Sequence, residues 1–285
     1  MEEQRGKIVI VPTPIGNLGD MTLRALEELK VADAVCAEDT RVTGKLLAAL
    51  GIAKPLVRLD ENAMGRCAAE VIGRAAAGER IAYCSDAGMP GVSDPGLRLV
   101  RAAHEAGVAV EVLPGPSAAT TAYVASGVTC AQFYFGGFFP RKAGERARLL
   151  ESLRALDAAL VFYESPKRVV SALGAIAEAM PAREVAVCRE LTKLHEEVAR
   201  GTAAELGALF AERERTGSVR GEIAIVIGPG ERGEGACSEQ EVEQRAAELA
   251  AQGLRTKEAA KLLAQECGIA RSAAYDLVMR LADGT

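Results

Sequence analysis

Apolar and polar positions follow two rhythms along the chain. Short β-branched or apolar runs at 7–11, 34–37, 80–84 and 108–113 predict strands. Between and after them, stretches at 22–30, 43–50, 95–106 and 117–126 carry helical spacing. In 22–30, for example, Leu23, Leu26 and Leu29 fall on one helical face. This βαβα order predicts an α/β fold with helices packed on an open, largely parallel sheet. Ligands of such sheets bind in loops at the carboxyl ends of strands, so those loops are where chemistry is sought. The rhythm breaks at 136–144, Gly-Gly-Phe-Phe-Pro-Arg-Lys-Ala-Gly, which reads as an inter-domain connection. Further strands are predicted near 158–163, 184–188 and 222–227. Residues 228–235, with one proline and four glycines, read as a linker. Beyond them the chain is wholly helical. Ser238-Glu-Gln-Glu241 is a capping box, Gly253 can end that helix, and helices at 256–267 and 272–281 flank Gly268-Ile269-Ala270. The expected organisation is an N-terminal α/β lobe over 1–136, a second α/β lobe over 137–230, and a helix-turn-helix-like accessory domain over 238–285.

Composition narrows the class. A chain of 285 residues that is 49% hydrophobic and 26% charged can bury real cores and is not disordered. No apolar run reaches membrane length and none near residue 7 is long enough for a signal-peptide core, so a soluble, cytoplasmic protein is expected. Seven scattered cysteines, without a CxxC pair and far from His104 and His195, predict free thiols and no metal site. A net charge of −5 gives no whole-molecule attraction for nucleic acid, so any RNA contact must be local. Arg141, Lys142, Arg146 and Arg148 supply one basic stretch, to which Lys167, Arg168, Arg189 and Lys193 could add.

Four strand-exit loops are unusual. The first, Pro12-Thr-Pro-Ile-Gly-Asn-Leu-Gly-Asp20, is stiffened by two prolines, while Gly16 and Gly19 allow a sharp turn or close backbone approach. It matches neither a GxGxxG fingerprint nor a P-loop, and taken alone it fits a simple turn into a helix equally well. The second, 85–96, holds three glycines, Gly88, Gly91 and Gly96, two prolines, Pro90 and Pro95, and two aspartates. Asp86 or Asp94 could serve a ribose hydroxyl or a cation, while Asp94-Pro95 also fits a helix start, which makes one of the two structural. The third is Pro114-Gly-Pro-Ser117, where Ser117 can cap a small-residue helix. The fourth is Phe162-Tyr-Glu-Ser-Pro-Lys-Arg168, bringing acid, hydroxyl and base together at a strand end.

In order, PTPIGNLGDMTLRAL, AEDTR, SDAGMPGVSDPG, LPGPSA, FYESPKR, REL and GEIAIVI closely resemble the family of small-subunit ribosomal RNA methyltransferases I, in the tetrapyrrole methylase superfamily. The resemblance runs from Val11 to about Ile227, and the helical tail is similar to the family's small appendage. It implies S-adenosylmethionine as methyl donor, a two-lobed α/β fold with the cofactor in the inter-lobe cleft, and a homodimer. The implied substrate is cytidine 1402 of 16S ribosomal RNA within the 30S subunit, methylated on the ribose 2′-oxygen. The cofactor is expected against Pro12, Pro14 and Gly16; Asp86, Ala87, Gly88, Pro90 and Gly91; Ser117 and Ala118; Phe162 and Tyr163; and Ala224. Glu38, Asp39, Glu164 and Lys167 are the candidates for acid–base or charge-stabilising roles. Arg41 and Arg168, with Arg141 and Lys142, are expected on RNA phosphates. The chain departs from the family pattern at Leu59 and Glu61, where two histidines are usual, and at Lys167, where a third is. Met89, Gly91 and Gly136 also replace a usual threonine, leucine and glutamate. Two other readings remain: a methylase of tetrapyrrole precursors, against which stands Thr13-Pro-Ile-Gly-Asn17 in place of a Gly-Pro-Gly-Asp type loop, and a non-catalytic RNA-binding or assembly protein.

Overall fold

The computed structural model describes residues 6–217, 219–230, 239–252, 254–267 and 271–282. In chain order the first lobe runs β1 (Lys7–Ile10), α1 (Leu23–Val31), β2 (Ala34–Ala37), α2 (Thr40–Ala49), β3 (Leu56–Arg58), α3 (Glu61–Ala76), β4 (Arg80–Cys84), α4 (Gly96–Glu105) and β5 (Ala109–Val112). Its sheet has the order β3-β2-β4-β1-β5, and every pairing is parallel. The central strands are continuous apolar runs because both faces are covered. Ile8, Ile10, Ile81 and Tyr83 meet Met64, Val71 and Leu99 from α3 and α4, while Val9, Val35 and Ala82 meet Ala25, Leu29 and Leu47 from α1 and α2. Side-chain caps start three of these helices: Thr22 accepts from Ala25 N, Asp39 from Arg41 N and Asp60 from Ala63 N.

The second lobe contains α5 (Ala118–Ser126), β6 (Phe133–Phe138), α6 (Ala143–Leu153), β7 (Ala159–Glu164), α7 (Val169–Ala179), β8 (Glu184–Arg189), β9 (Glu197–Thr202), α8 (Ala203–Arg215) and β10 (Ile223–Ile227). Its sheet, β6-β7-β10-β8-β9, is mixed: β6 and β7 are parallel, and the other pairings antiparallel. One face carries Leu160, Phe162, Val187 and Ile225 against α6, α7 and α8; the other carries Val161, Ala186, Cys188 and Ala224 against Ala119 and Ala122 of α5.

This corrects the expected boundary at 136/137. Residues 133–138 form a strand of the second sheet, and α5 packs on that sheet, so the change of sheet falls in the loop 113–117. The glycine pair that reads as a linker is part of a strand. A Cβ on Gly136 would lie 2.1 Å from the Phe162 ring, and Gly137 holds φ +67 at a register shift between Phe135 and Phe138.

The C-terminal unit consists of α9 (Glu239–Ala251), α10 (Thr256–Cys267) and α11 (Arg271–Ala282) around a small core of its own, with Leu249, Leu263, Ala274 and Val278 at its centre. The capping serine Ser238, the helix stop Gly253 and the turn Gly268-Ile269-Ala270 lie outside the described residues. So does the stretch 231–235 of the expected linker. The six described cysteines are free, four of them buried.

Candidate functional site

The loops leaving β1 and β4 are clamped to each other. Thr13 and Gly88 exchange both backbone hydrogen bonds at 3.0 Å, and the buried Thr13 hydroxyl lies 3.4 Å from the Ser85 carbonyl that accepts from it. Gly88 holds φ +78, which favours glycine, and a Cβ there would stand 3.2 Å from Ile15 Cγ2 and 3.6 Å from the Pro116 carbonyl oxygen. The second loop is closed by Asp94, whose carboxylate accepts from Gly91 N and Gly96 N, both at 2.8 Å. Asp94 is thus the structural aspartate. Asp86 stands free of that role and accepts from Asp39 N at 3.0 Å.

The second lobe answers with one row across three strands. Ala224 of β10 is in register with Tyr163 of β7 and Cys188 of β8, so all three side chains share the face opposite to Phe162. Because β10 runs antiparallel to both neighbours, its first residues lie level with the carboxyl ends of β7 and β8. The turn after β8 places Glu190 and Thr192 at positive φ. Glu190 accepts from Lys193 Nζ and Glu222 N, each at 2.9 Å, and Lys193 also donates to Glu222. Gly16 packs its backbone on Lys193, where a Cβ would come within 2.4 Å of Cγ.

Between these walls lies a cavity of about 310 Å³. Its apolar lining comes from Ile15, Met89, Val92, Ala118, Leu191, Ile223 and Ala224, with the rings of Phe138 and Tyr163. Five carboxylates line it, Glu38, Asp86, Asp94, Glu164 and Glu222, and among the described residues no lysine, arginine or histidine does. Burial, then the charges of Asp86 and Asp94, pushes Glu38 above the ordinary carboxylate range. Burial raises Asp86 as well, opposed in part by the hydrogen bond it accepts from the Asp39 backbone amide. Burial pushes the Tyr163 phenol up to about 12. The Glu164 side chain is fully buried. One oxygen accepts from Ser165 N at 2.7 Å and pairs with Arg168 Nη2 at 2.5 Å, while the other has no hydrogen-bond partner.

Of the cofactor residues expected from sequence, Asp86, Ala87, Gly88, Ser117, Ala118, Tyr163 and Ala224 line the cavity. Pro12, Pro14, Gly16, Pro90 and Gly91 do not. Pro12 is buried against Gly115, Gly16 sits on Lys193, Pro90 is buried, and Gly91 lies against Leu97 with its amide on Asp94. The Phe162 side chain is turned into the opposite core. Ser117 begins α5 without a side-chain cap; its carbonyl instead accepts from Thr120 and Thr121 hydroxyls.

Among the charged candidates, Glu38 and Glu164 reach the cavity and Lys167 does not, being exposed beside it in sequence only. Asp39 caps α2 and binds the Arg41 guanidinium, which holds its carboxyl well below the usual range. Arg41, Arg141 and Lys142 are exposed, and Arg168 is engaged by Glu164 and Ser165. Leu59 is buried in the first core and Glu61 is exposed, 3.8 Å from Arg98. Sequence reasoning missed Ile15, Met89, Val92, Ser93, Phe138, Cys188, Leu191 and Glu222. A strand register supplies several of these, and no local motif announces it.

A cleft between a parallel and a mixed sheet, lined by glycine-rich exits of the first and a strand row of the second, is the architecture of one enzyme class. The family model for Tetrapyrrole (Corrin/Porphyrin) Methylases matches residues 7–207, and the chain belongs to that family. Within it the chain falls among proteins named Ribosomal RNA small subunit methyltransferase I. One from Mesorhizobium japonicum is 44% identical over 225 residues, 79% of this chain and 76% of the relative. Another, from Halalkalibacterium halodurans, is 40% identical over 283 residues, 96% of this chain and 95% of the relative. Among solved structures, uroporphyrin-III-C-methyltransferase from Thermus thermophilus aligns with TM-score 0.56 and 25% identity over 79% of this chain and 94% of that one. Diphthine synthase aligns with TM-score 0.59 at 14% identity, covering 78% and 89%, a likeness of fold alone.

Proposed function

We propose that this chain is a cytoplasmic, homodimeric enzyme that uses S-adenosylmethionine, without a metal, to methylate the ribose 2′-oxygen of cytidine 1402 in 16S ribosomal RNA of the 30S subunit. One observation carries the choice of RNA over a tetrapyrrole. Relatives named for ribosomal RNA methylation are 44% and 40% identical to this chain. The Thermus thermophilus uroporphyrin enzyme is 25% identical. The sequence likeness favours the ribosomal relatives.

The cavity fits the cofactor. About 310 Å³ lies at the small end of the range for small-molecule sites, roughly 300–1,000 Å³. The bare backbone at Gly88 and the small residues Ala118 and Ala224 leave room for a flat ring, while Asp86 and Glu38 suit a diol or a cationic centre. When bound, S-adenosylmethionine supplies an electrophilic methyl group on a cationic sulfur. The residues around it have three tasks: to align the incoming hydroxyl, exclude water, and receive its proton. Alignment alone is worth up to about 7–11 kcal/mol of barrier in favourable analogues. Glu38 is the proton acceptor, since it lines the cavity, carries no cation of its own, and is held above the ordinary carboxylate range. Glu164, pinned by Arg168, positions the wall beside Tyr163. Exposed Arg141, Lys142, Lys167 and Arg41 face outward, where phosphates would meet them.

The test is transfer of labelled methyl from S-adenosylmethionine by purified protein to 30S subunits, free 16S RNA or a corrin acceptor. Label in the 30S RNA is expected. Label in the corrin alone would assign the chain to tetrapyrrole chemistry, and label in none would leave it a binding protein.

A further inference from the structure

We infer that Phe138 is the platform on which the base of the target nucleotide stacks at the mouth of the cavity. This rests on the RNA reading above. Phe138 lines the cavity yet is 61% exposed, an unusual position for a phenyl ring in a protein whose other aromatic residue at this bend, Phe139, is 1% exposed. The exposure is built by the backbone. Phe135 is in register with Val161 and Phe138 with Tyr163, so three steps of β6 match two of β7. In an unbroken strand, residues three apart point to opposite faces. The extra residue turns Phe138 to the face of Phe135, and both rings meet Tyr163 edge-on, with centroids 5.5 and 4.9 Å away. Bulges beside active sites re-aim side chains in this way. Gly137 supplies the positive φ, and Gly136 lets the strand pass over Phe162, against which Phe139 is anchored at 4.8 Å.

The chemistry of the cavity says what such a ring would hold. A nucleotide whose ribose is methylated must leave its stack to bring the hydroxyl inside, and single unstacked bases are held by aromatic faces. The cavity lining is acidic and, among the described residues, contains no cation to grip the nucleotide through its phosphate. The exposed cations Arg141 and Lys142 follow three and four residues after Phe138, outside the lining. A base on Phe138 with its phosphates toward those two residues satisfies both constraints.

The experiment compares wild type with Phe138→Ala, Phe138→Leu and Phe138→Trp, reading KM and kcat for 30S methylation, cofactor affinity by calorimetry, and melting temperature. A 30S subunit carrying a fluorescent cytidine analogue at the target position reports stacking by quenching. Alanine and leucine are expected to weaken RNA binding or raise KM roughly tenfold or more, and to lose the quenching. Tryptophan is expected to restore both, with melting unchanged throughout. Equal rescue by leucine, an unchanged KM in Phe138→Ala, or loss confined to cofactor affinity would overturn the assignment. Failure of the wild type to bind or methylate 30S subunits would instead sink the RNA reading, and this inference with it.

Discussion

Glu38 and Asp86 stand at the carboxyl ends of β2 and β4, and burial drives both toward the neutral form. A base must be ionised to accept a proton, so its raised pKa moves the acid limb of the rate profile upward. Activity is expected to rise with pH through a limb lying above the ordinary carboxylate range. Glu38→Gln should lower kcat by about 10²–10⁴-fold and abolish that limb, measured as kcat against pH. A profile that keeps its acid limb in the variant would move the proton to another group. At Gly88 the expectation is different. Its φ of +78 and its closeness to Ile15 leave no place for a branched side chain. Gly88→Val is expected to abolish cofactor binding in a calorimeter while circular dichroism still reports a folded chain. Normal affinity would remove this loop from the cofactor site. The sequence pointed to Gly88 through the crowding of glycine, proline and acid at its strand exit, and to Glu38 through the family resemblance. It could not separate Asp86 from Asp94, since that difference lies in which carboxylate already accepts two loop amides.

At the scale of elements, the first sheet was legible except for the three-residue β3, because its central strands are continuous buried runs, as parallel strands covered on both faces must be. The second sheet was legible only in part. Its β7, β8 and β10 are apolar runs of the same kind, but β6 ends in Phe-Gly-Gly-Phe and reads as a linker by composition. β9, Glu-Val-Ala-Arg-Gly-Thr, is a polar edge strand with no clear alternation. The cavity row Tyr163, Ala224 and Cys188 arises from antiparallel register between residues 61 and 36 positions apart, which no local pattern encodes. The C-terminal helices are a further element with their own core, and α11 exposes Ser272, Tyr275 and Arg280. Acidic residues outnumber basic ones over 238–285, so strong independent nucleic-acid binding is not expected of this element. Ending the chain after Gly230 should preserve S-adenosylmethionine affinity and lower methylation of 30S subunits. Full activity on 30S would show that these helices do not help dock the RNA, and lost cofactor affinity would make them part of the cofactor site.

For the whole molecule, charge organises the account. The chain carries −5 overall and concentrates five carboxylates around one cavity, while the exposed Arg141 and Lys142 follow Phe138 closely in sequence. Such a distribution suits a cationic small molecule inside and a polyanion outside, held locally and weakened by salt as counterions compete. The membership in the tetrapyrrole methylases fixes the fold, and the higher identity to ribosomal RNA relatives points to the acceptor. The central claim is therefore about where one methyl group goes. The most direct measurement incubates the purified protein and S-adenosylmethionine with 30S subunits lacking the modification, then maps the product by nuclease digestion and mass spectrometry. The account predicts one added methyl group, on the ribose of cytidine 1402; a methyl group on a base, on another nucleotide, or nowhere in the RNA would contradict it.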